Sequence, residues 1–203
     1  TGLLTSVLLM NPARLVFPGL TSGQFTLTLY TPGMNSNTVL CPTVSQFSFT
    51  VPNAGDCGVN FRLSAALDGA LPSGTVMTDG LRAANLIPIA EPYSALGYTY
   101  VGSPNGVVIT PALLNVTGNE AIVDWVIVEL RSSTTVVAYS KPALLRRDGS
   151  IIDSDGNAYL NFPVTAGSYR IVLRHRNHLA AMLNSAMALG LDPSAVLIDL
   201  KSG

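Results

Sequence analysis

Two histidines, His175 and His178, stand in the run RHRNH, Arg174 to His178. Imidazoles carry protons and bind transition metals near neutral pH. Read as one continuous strand, Arg174, Arg176 and His178 share one face and His175 and Asn177 the other, so the two rings point apart. Catalysis would need a nucleophile or an acid held against one of the rings. The chain has no G-x-S-x-G elbow to present a serine. The run therefore reads as a hydrogen-bonding or ion-pairing framework.

The carboxylates offer two further chemistries. Asp153, Asp155 and Asn157 put oxygen donors at alternate positions, as at the opening of a calcium loop. The bidentate glutamate that closes such a loop is missing, because Pro163 and Val164 stand where it would fall. The same residues also write a plain Asp/Gly hairpin turn. Calcium is the one cofactor the sequence suggests. Asp124 and Glu129 lie on opposite faces of the strand around Trp125, whereas glycoside hydrolysis needs two carboxyls facing across a cleft of about 5–10 Å. The chain has only three glutamates, Glu91, Glu120 and Glu129. It reads as a protein without enzymatic activity.

Tyr93, Tyr98 and Tyr100 cluster in AEPYSALGYTY, where exposed rings could stack on sugars or buried ones could fill a core. Cys41 and Cys57 bracket a strand-like run ending in a Pro/Asn/Gly turn. A bridge between them would close a local loop and contribute roughly 3 kcal/mol, and disulfides persist outside the cytosol. No glycine-rich phosphate loop is present. Asn115-Val-Thr117 is a formal glycosylation sequon.

The elements that would position these groups are strands. Short β-branched runs recur between Gly, Pro, Asn and Asp: residues 24–30, 47–51, 59–67, 98–101, 107–110, 121–131, 134–139, 159–164, 168–175 and 196–200. About ten short strands at this spacing predict an all-β fold, a β-sandwich or jelly-roll-like arrangement with little helix. A short helix fits Gly80–Leu86. A second helical candidate, His178–Leu189, carries Leu and Met at 3–4 spacing; its other reading is an irregular return into the last strand. The expected division is an N-terminal strand and disulfide loop over 1–57 and a β-module over 58–203, together one compact unit.

Composition limits the partners. The net charge is −1 and charged residues make up 11% of the chain, against about 25% in ordinary soluble domains. A nucleic-acid binder would carry a basic excess, so none is expected. Asn11, Pro12, Arg14 and Pro18 interrupt the best apolar stretch, Leu3–Leu20, so no membrane span is expected. The apolar run has no basic start, and Thr1 fits a mature end left by a removed signal. Within that stretch, Leu3–Met10 reads LLTSVLLM and is apolar on both faces: Leu3, Val7 and Leu9 on one, Leu4, Leu8 and Met10 on the other. A terminal strand is ordinarily an edge strand blunted with charge. This one suits either the centre of its own sheet or donation to a neighbour's.

Four blocks carry a resemblance: Ala66–Tyr98, Ala121–Arg131 (AIVDWVIVELR), Leu144–Gly156 (LLRRDGSIIDSDG) and Gly167–Met182 (GSYRIVLRHRNHLAAM). Together they resemble a β-rich module near the C-terminus of large secreted bacterial surface proteins, often labelled haemagglutinin-like. The likeness covers residues 63–200, roughly two thirds of the chain. It implies export, a place on the bacterial cell surface or matrix, no established enzymatic activity, and a framework role for RHRNHL. With the low charge and the apolar first strand, it points to an extracellular structural subunit that assembles with itself into a filament or layer by donor-strand exchange. The other reading is a monomeric adhesive module that binds surface glycans through its tyrosines.

Overall fold

The computed structural model describes residues 23–35, 38–51, 58–71, 76–190 and 197–201. The chain falls into two compact units, residues 1–53 and 54–203. In the first, β1 (Gly23–Asn35) and β2 (Thr38–Val51) form an antiparallel hairpin. Its register sets Phe25 opposite Phe49 and Leu27 opposite Phe47, and slips between Thr31 and Gly33 around Pro32. Proline has no N–H for the ladder, so a break there is expected. The Thr26 and Ser48 hydroxyls lie 3.4 Å apart across the pair. Leu3–Met10 lies outside the described residues. So does the Cys41–Cys57 bridge, because Cys57 and the Cys41 side chain are not among them.

The second unit is one mostly antiparallel sheet, all-β with little helix. Its strands are β3 (Val59–Ser64), β4 (Ile122–Arg131), β5 (Val137–Arg146), β6 (Ser150–Asp153), β7 (Leu160–Phe162), β8 (Gly167–His175), β9 (His178–Met182), β10 (Met187–Leu189) and β11 (Leu197–Asp199). The order is β10-β8-β4-β5-β6-β3-β11, with β7 on β3 and β9 on β8. Only β11 on β3 is parallel. The sheet curls: past β10, the Gly190 carbonyl accepts a hydrogen bond from the Asn60 N–H in β3 at 2.9 Å. The helices α1 (Gly80–Ala83) and α2 (Pro111–Leu114) are single turns. No helix among the described residues is long and apolar enough to cross a membrane.

Alternation explains the two cores. Val59, Phe61 and Leu63 of β3, Val126, Val128 and Leu130 of β4, and Ile171 and Leu173 of β8 fill the inside of the curl. Trp125 and Ile127 of β4, Leu144 of β5 and Ile152 of β6 face outward into a second cluster. That outer cluster is capped by irregular chain carrying Ile87, Tyr93, Tyr100 and Ile109, not by another sheet. A strand buried on both faces must read as a continuous apolar run, as AIVDWVIVELR does. The cap needs backbone contact. Gly102, at φ +82°, bridges to Ser140 of β5, and a Cβ there would stand 2.3 Å from the Tyr139 ring.

Three expectations change. His178–Leu189 is not helix. The chain turns at Arg176–Asn177 and returns as β9 along β8, then β10, so strand pairing overrides the helical spacing. Residues 98–101 and 107–110 are not strands; they belong to the cap, where the Val101 carbonyl accepts from the Ser140 N–H at 2.9 Å and the isolated bridges are Gly102 to Ser140 and Ala90 to Val108. The hairpin partner of β4 begins at Val137 and runs on through Pro142 to Arg146.

Candidate functional site

The tyrosines tie the cap to the sheet. Tyr93 and Tyr100 are buried. The Tyr93 hydroxyl donates to the Trp125 carbonyl at 2.6 Å, that of Tyr98 to Glu129 at 2.8 Å and that of Tyr100 to Glu91 at 2.9 Å. Tyr93 and Tyr100 therefore keep no exposed ring face for a pyranose, while Tyr98 is half-buried. Burial pushes the Tyr98 hydroxyl up to about 12, with Glu129 adding to the shift. Burial and then Glu91 push Tyr100 up as well.

The two carboxylates are closed sites. Glu91 accepts from the Tyr93 and Gly106 backbone N–H groups, at 2.8 and 3.0 Å, and from the Ser94 and Tyr100 hydroxyls. Burial works to raise its pKa, but the bonds from Ser94, Gly106 and Tyr100 together hold it below the usual carboxylate range. Glu129 is likewise lowered: burial opposes, while Tyr98, Arg131 and Arg174 outweigh it. Every acceptor position on these groups faces a donor from the chain itself.

The calcium candidate is occupied by protein groups. Asp153 is ion-paired to Lys141, whose ammonium also donates to the Asn161 carbonyl at 3.0 Å. Asp155 accepts from the Asn157 backbone N–H at 2.8 Å and from its side-chain amide at 3.1 Å. The triad is thus an Asx turn beside a lysine, and a divalent ion would have to displace that cation. No group of three or more metal-ligating side chains converges among the described residues.

The histidines come together, against expectation. Because the turn falls at Arg176–Asn177, His175 and His178 are paired across the β8–β9 hairpin. Their Nδ1 atoms lie 2.8 Å apart and their ring centroids 4.8 Å. His175 Nε2 reaches Asp124 Oδ2 at 3.1 Å, and Arg176 donates to the same oxygen at 2.7 Å. Asp124 Oδ1 accepts from the Trp125 backbone N–H at 2.8 Å. The side chains of Asp124 and His175 are nearly inaccessible, at 2% and 5% exposure. Asp124 and Glu129 serve separate networks, as opposite faces require. A turn signal at Arg176-Asn177 was present, since asparagine favours turns, but nothing local announced Asp124.

These rings line two cavities, of about 410 and 330 Å³. The larger also meets Gly69, Thr78 and Leu81. The smaller is an apolar groove running past Ala65, Leu67, Leu173, Leu179 and Leu200. β9 contributes Leu179 and Ala181 to it, and Leu200 follows directly on β11. Among the described residues β9 pairs only with β8 and β11 only with β3. All five residues of β9 are exposed, and Leu179 is 97% accessible. Met182 and, on β11, Leu197 are exposed apolar side chains as well. An exposed strand of aliphatic side chains without charge is what soluble chains ordinarily blunt at a sheet edge.

No family model, curated protein or solved structure matches this chain.

Proposed function

We propose that the chain is a non-enzymatic extracellular structural subunit that assembles with itself into a surface filament or layer, the Leu3–Met10 strand of one copy entering the β9–β11 groove of the next. The observation that carries this reading is the exposed strand β9, which has no second partner among the described residues, carries no Asp, Glu, Lys or Arg, and is aliphatic from Leu179 to Met182. A strand laid between β9 and β11 would pair with both and set one face on Leu173 and Ala65. It would have to be apolar, and LLTSVLLM has no charge before Arg14. Strand addition of this kind takes its affinity from main-chain hydrogen bonds and its register from alternate side chains. Head-to-tail donation gives open polymers unless the rotation closes a ring. Low charge along the chain fits surfaces buried between subunits. A bacterial cell-surface location follows from the resemblance of residues 63–200 to surface-protein modules.

The test is negative-stain microscopy with sedimentation on the full chain and on a variant lacking residues 1–12. The expected result is regular polymer from the full chain and a folded, unassembled variant. Undiminished polymer from the variant, or a monodisperse full-length monomer, overturns the proposal. A monomer with saturable glycan binding would install the adhesive reading instead.

A further inference from the structure

We infer that the turn between β8 and β9 is a transition-metal site, in which His175 Nδ1 and His178 Nδ1 take adjacent positions on a tetragonal divalent ion, copper(II) before nickel(II), and Asp124 holds the first ring from behind. The inference is independent of how the chain assembles.

The two Nδ1 atoms lie 2.8 Å apart. Two nitrogens each about 2.0 Å from one ion stand about 2.8 Å apart when they subtend a right angle, and about 3.3 Å apart at the tetrahedral angle that zinc adopts. The observed spacing is that of neighbouring corners of a square, the arrangement copper(II) and nickel(II) take with nitrogen and oxygen ligands. The rings meet edge to face, with centroids 4.8 Å apart. A rotation of the exposed His178 ring aims its lone pair at the point the His175 nitrogen already faces. The backbone supplies the rest of the preorganisation. His175 and His178 are register partners joined by the Arg176–Asn177 turn, so both ligands are brought together by folding and not by the ion.

The hydrogen bonds set the tautomers a metal needs. Asp124 is a buried carboxylate that only accepts, and it takes bonds from Arg176 and the Trp125 N–H. His175 Nε2, 3.1 Å from it, therefore carries that ring's proton, and Nδ1 is left with a lone pair. A carboxylate behind one imidazole nitrogen while the other looks outward is the support that metal-bound histidines have. His178 lends its own Nδ1 proton to that lone pair; moving the proton to Nε2 frees the second ligand, and neither ring changes its charge. The ion displaces the bond between the two imidazoles and the 3.2 Å bond from the Asn177 N–H. Both are neutral, in contrast to the lysine that fills the Asp153 turn. Both rings line the cavities of about 410 and 330 Å³, so the remaining corners open to water. No group of three metal-ligating side chains converges among the described residues, so water or an added donor completes the coordination. With two protein nitrogens alone, affinity falls to the metal's own preference, and copper(II) heads that order.

The experiment is calorimetric titration of the full chain with copper(II), nickel(II) and zinc(II) salts, with the electron paramagnetic resonance spectrum of the copper form and His178→Ala beside it. The expected result is one copper per chain, a tetragonal spectrum split by two nitrogens, affinity falling from copper through nickel to zinc, and loss of the stoichiometric binding in His178→Ala. The ring of His178 is exposed, so the variant should keep the Trp125 emission of the unmodified chain. Copper bound equally well by His178→Ala is an adventitious ion only and overturns the inference. So does a chain that takes up no copper, or one that binds zinc more tightly than copper. If His178→Ala does not fold, the nitrogen count in the spectrum of the unmodified chain decides, and fewer than two nitrogens overturns the site. Polymer or its absence bears on the assembly reading alone.

Discussion

The second unit handles its carboxylates in two opposite ways. On the outer face, Glu91 and Glu129 are sealed under the cap, each surrounded by donors from the same chain. At the β9 end, Asp124 is equally buried, but its partners lead outward through two imidazoles to an open groove. The first network has nothing left to bind, and its purpose is to hold irregular backbone against a sheet. The second ends at His178 on β9, a strand with one partner among the described residues. A buried charge alone therefore does not mark a working site; what matters is whether its chain of hydrogen bonds closes on itself.

Breaking the closed network should cost the most. Trp125 is fully buried, and its indole N–H donates to the Pro88 carbonyl at 2.8 Å. Trp125→Ala removes the ring that joins cap to sheet and should destabilise by about 3–5 kcal/mol, read by urea denaturation. Loss of stability within about 0.5 kcal/mol would mean the cap is not held by this core. Acid attacks the same region next. Glu91 and Glu129 have folded pKa values below their unfolded ones. Their stabilisation is present above an unfolded value of about 4.3 and is lost as pH falls through the lower folded values. Trp125 is the sole tryptophan of the chain and lies beneath the cap. Its emission should shift to the red below about pH 4, while the spectrum stays constant between about pH 5 and about pH 8. A shift already complete above about pH 5 would mean that the two glutamates do not hold the cap.

The two regions also differ in how legible they were. AIVDWVIVELR announces β4 because both of its faces are apolar, and its alternation separates Asp124 from Glu129 as observed. The cap was misread because Tyr98–Val101 and Val107–Thr110 have strand-like residues. What they do depends on Glu91 and on Glu129, whose bond to Tyr98 crosses a separation of 31 residues, and no local pattern encodes that. The histidines were misread for a smaller reason. A single turn at Arg176–Asn177 reverses the face assignment, since a strand taken as continuous puts His175 and His178 on opposite sides. With the turn in place they become register partners. The helical reading of His178–Leu189 fails for the same turn, which returns the chain along β8.

Strand β9 should respond to charge without responding in stability. Leu179 touches little in the isolated chain, being 97% accessible. Leu179→Lys should leave the denaturation midpoint within about 0.5 kcal/mol of the unmodified chain while abolishing polymer in sedimentation, because a lysine on an edge blocks strand addition. Polymer that persists would move the assembly surface elsewhere. A large loss of stability would make β9 part of the core rather than its margin.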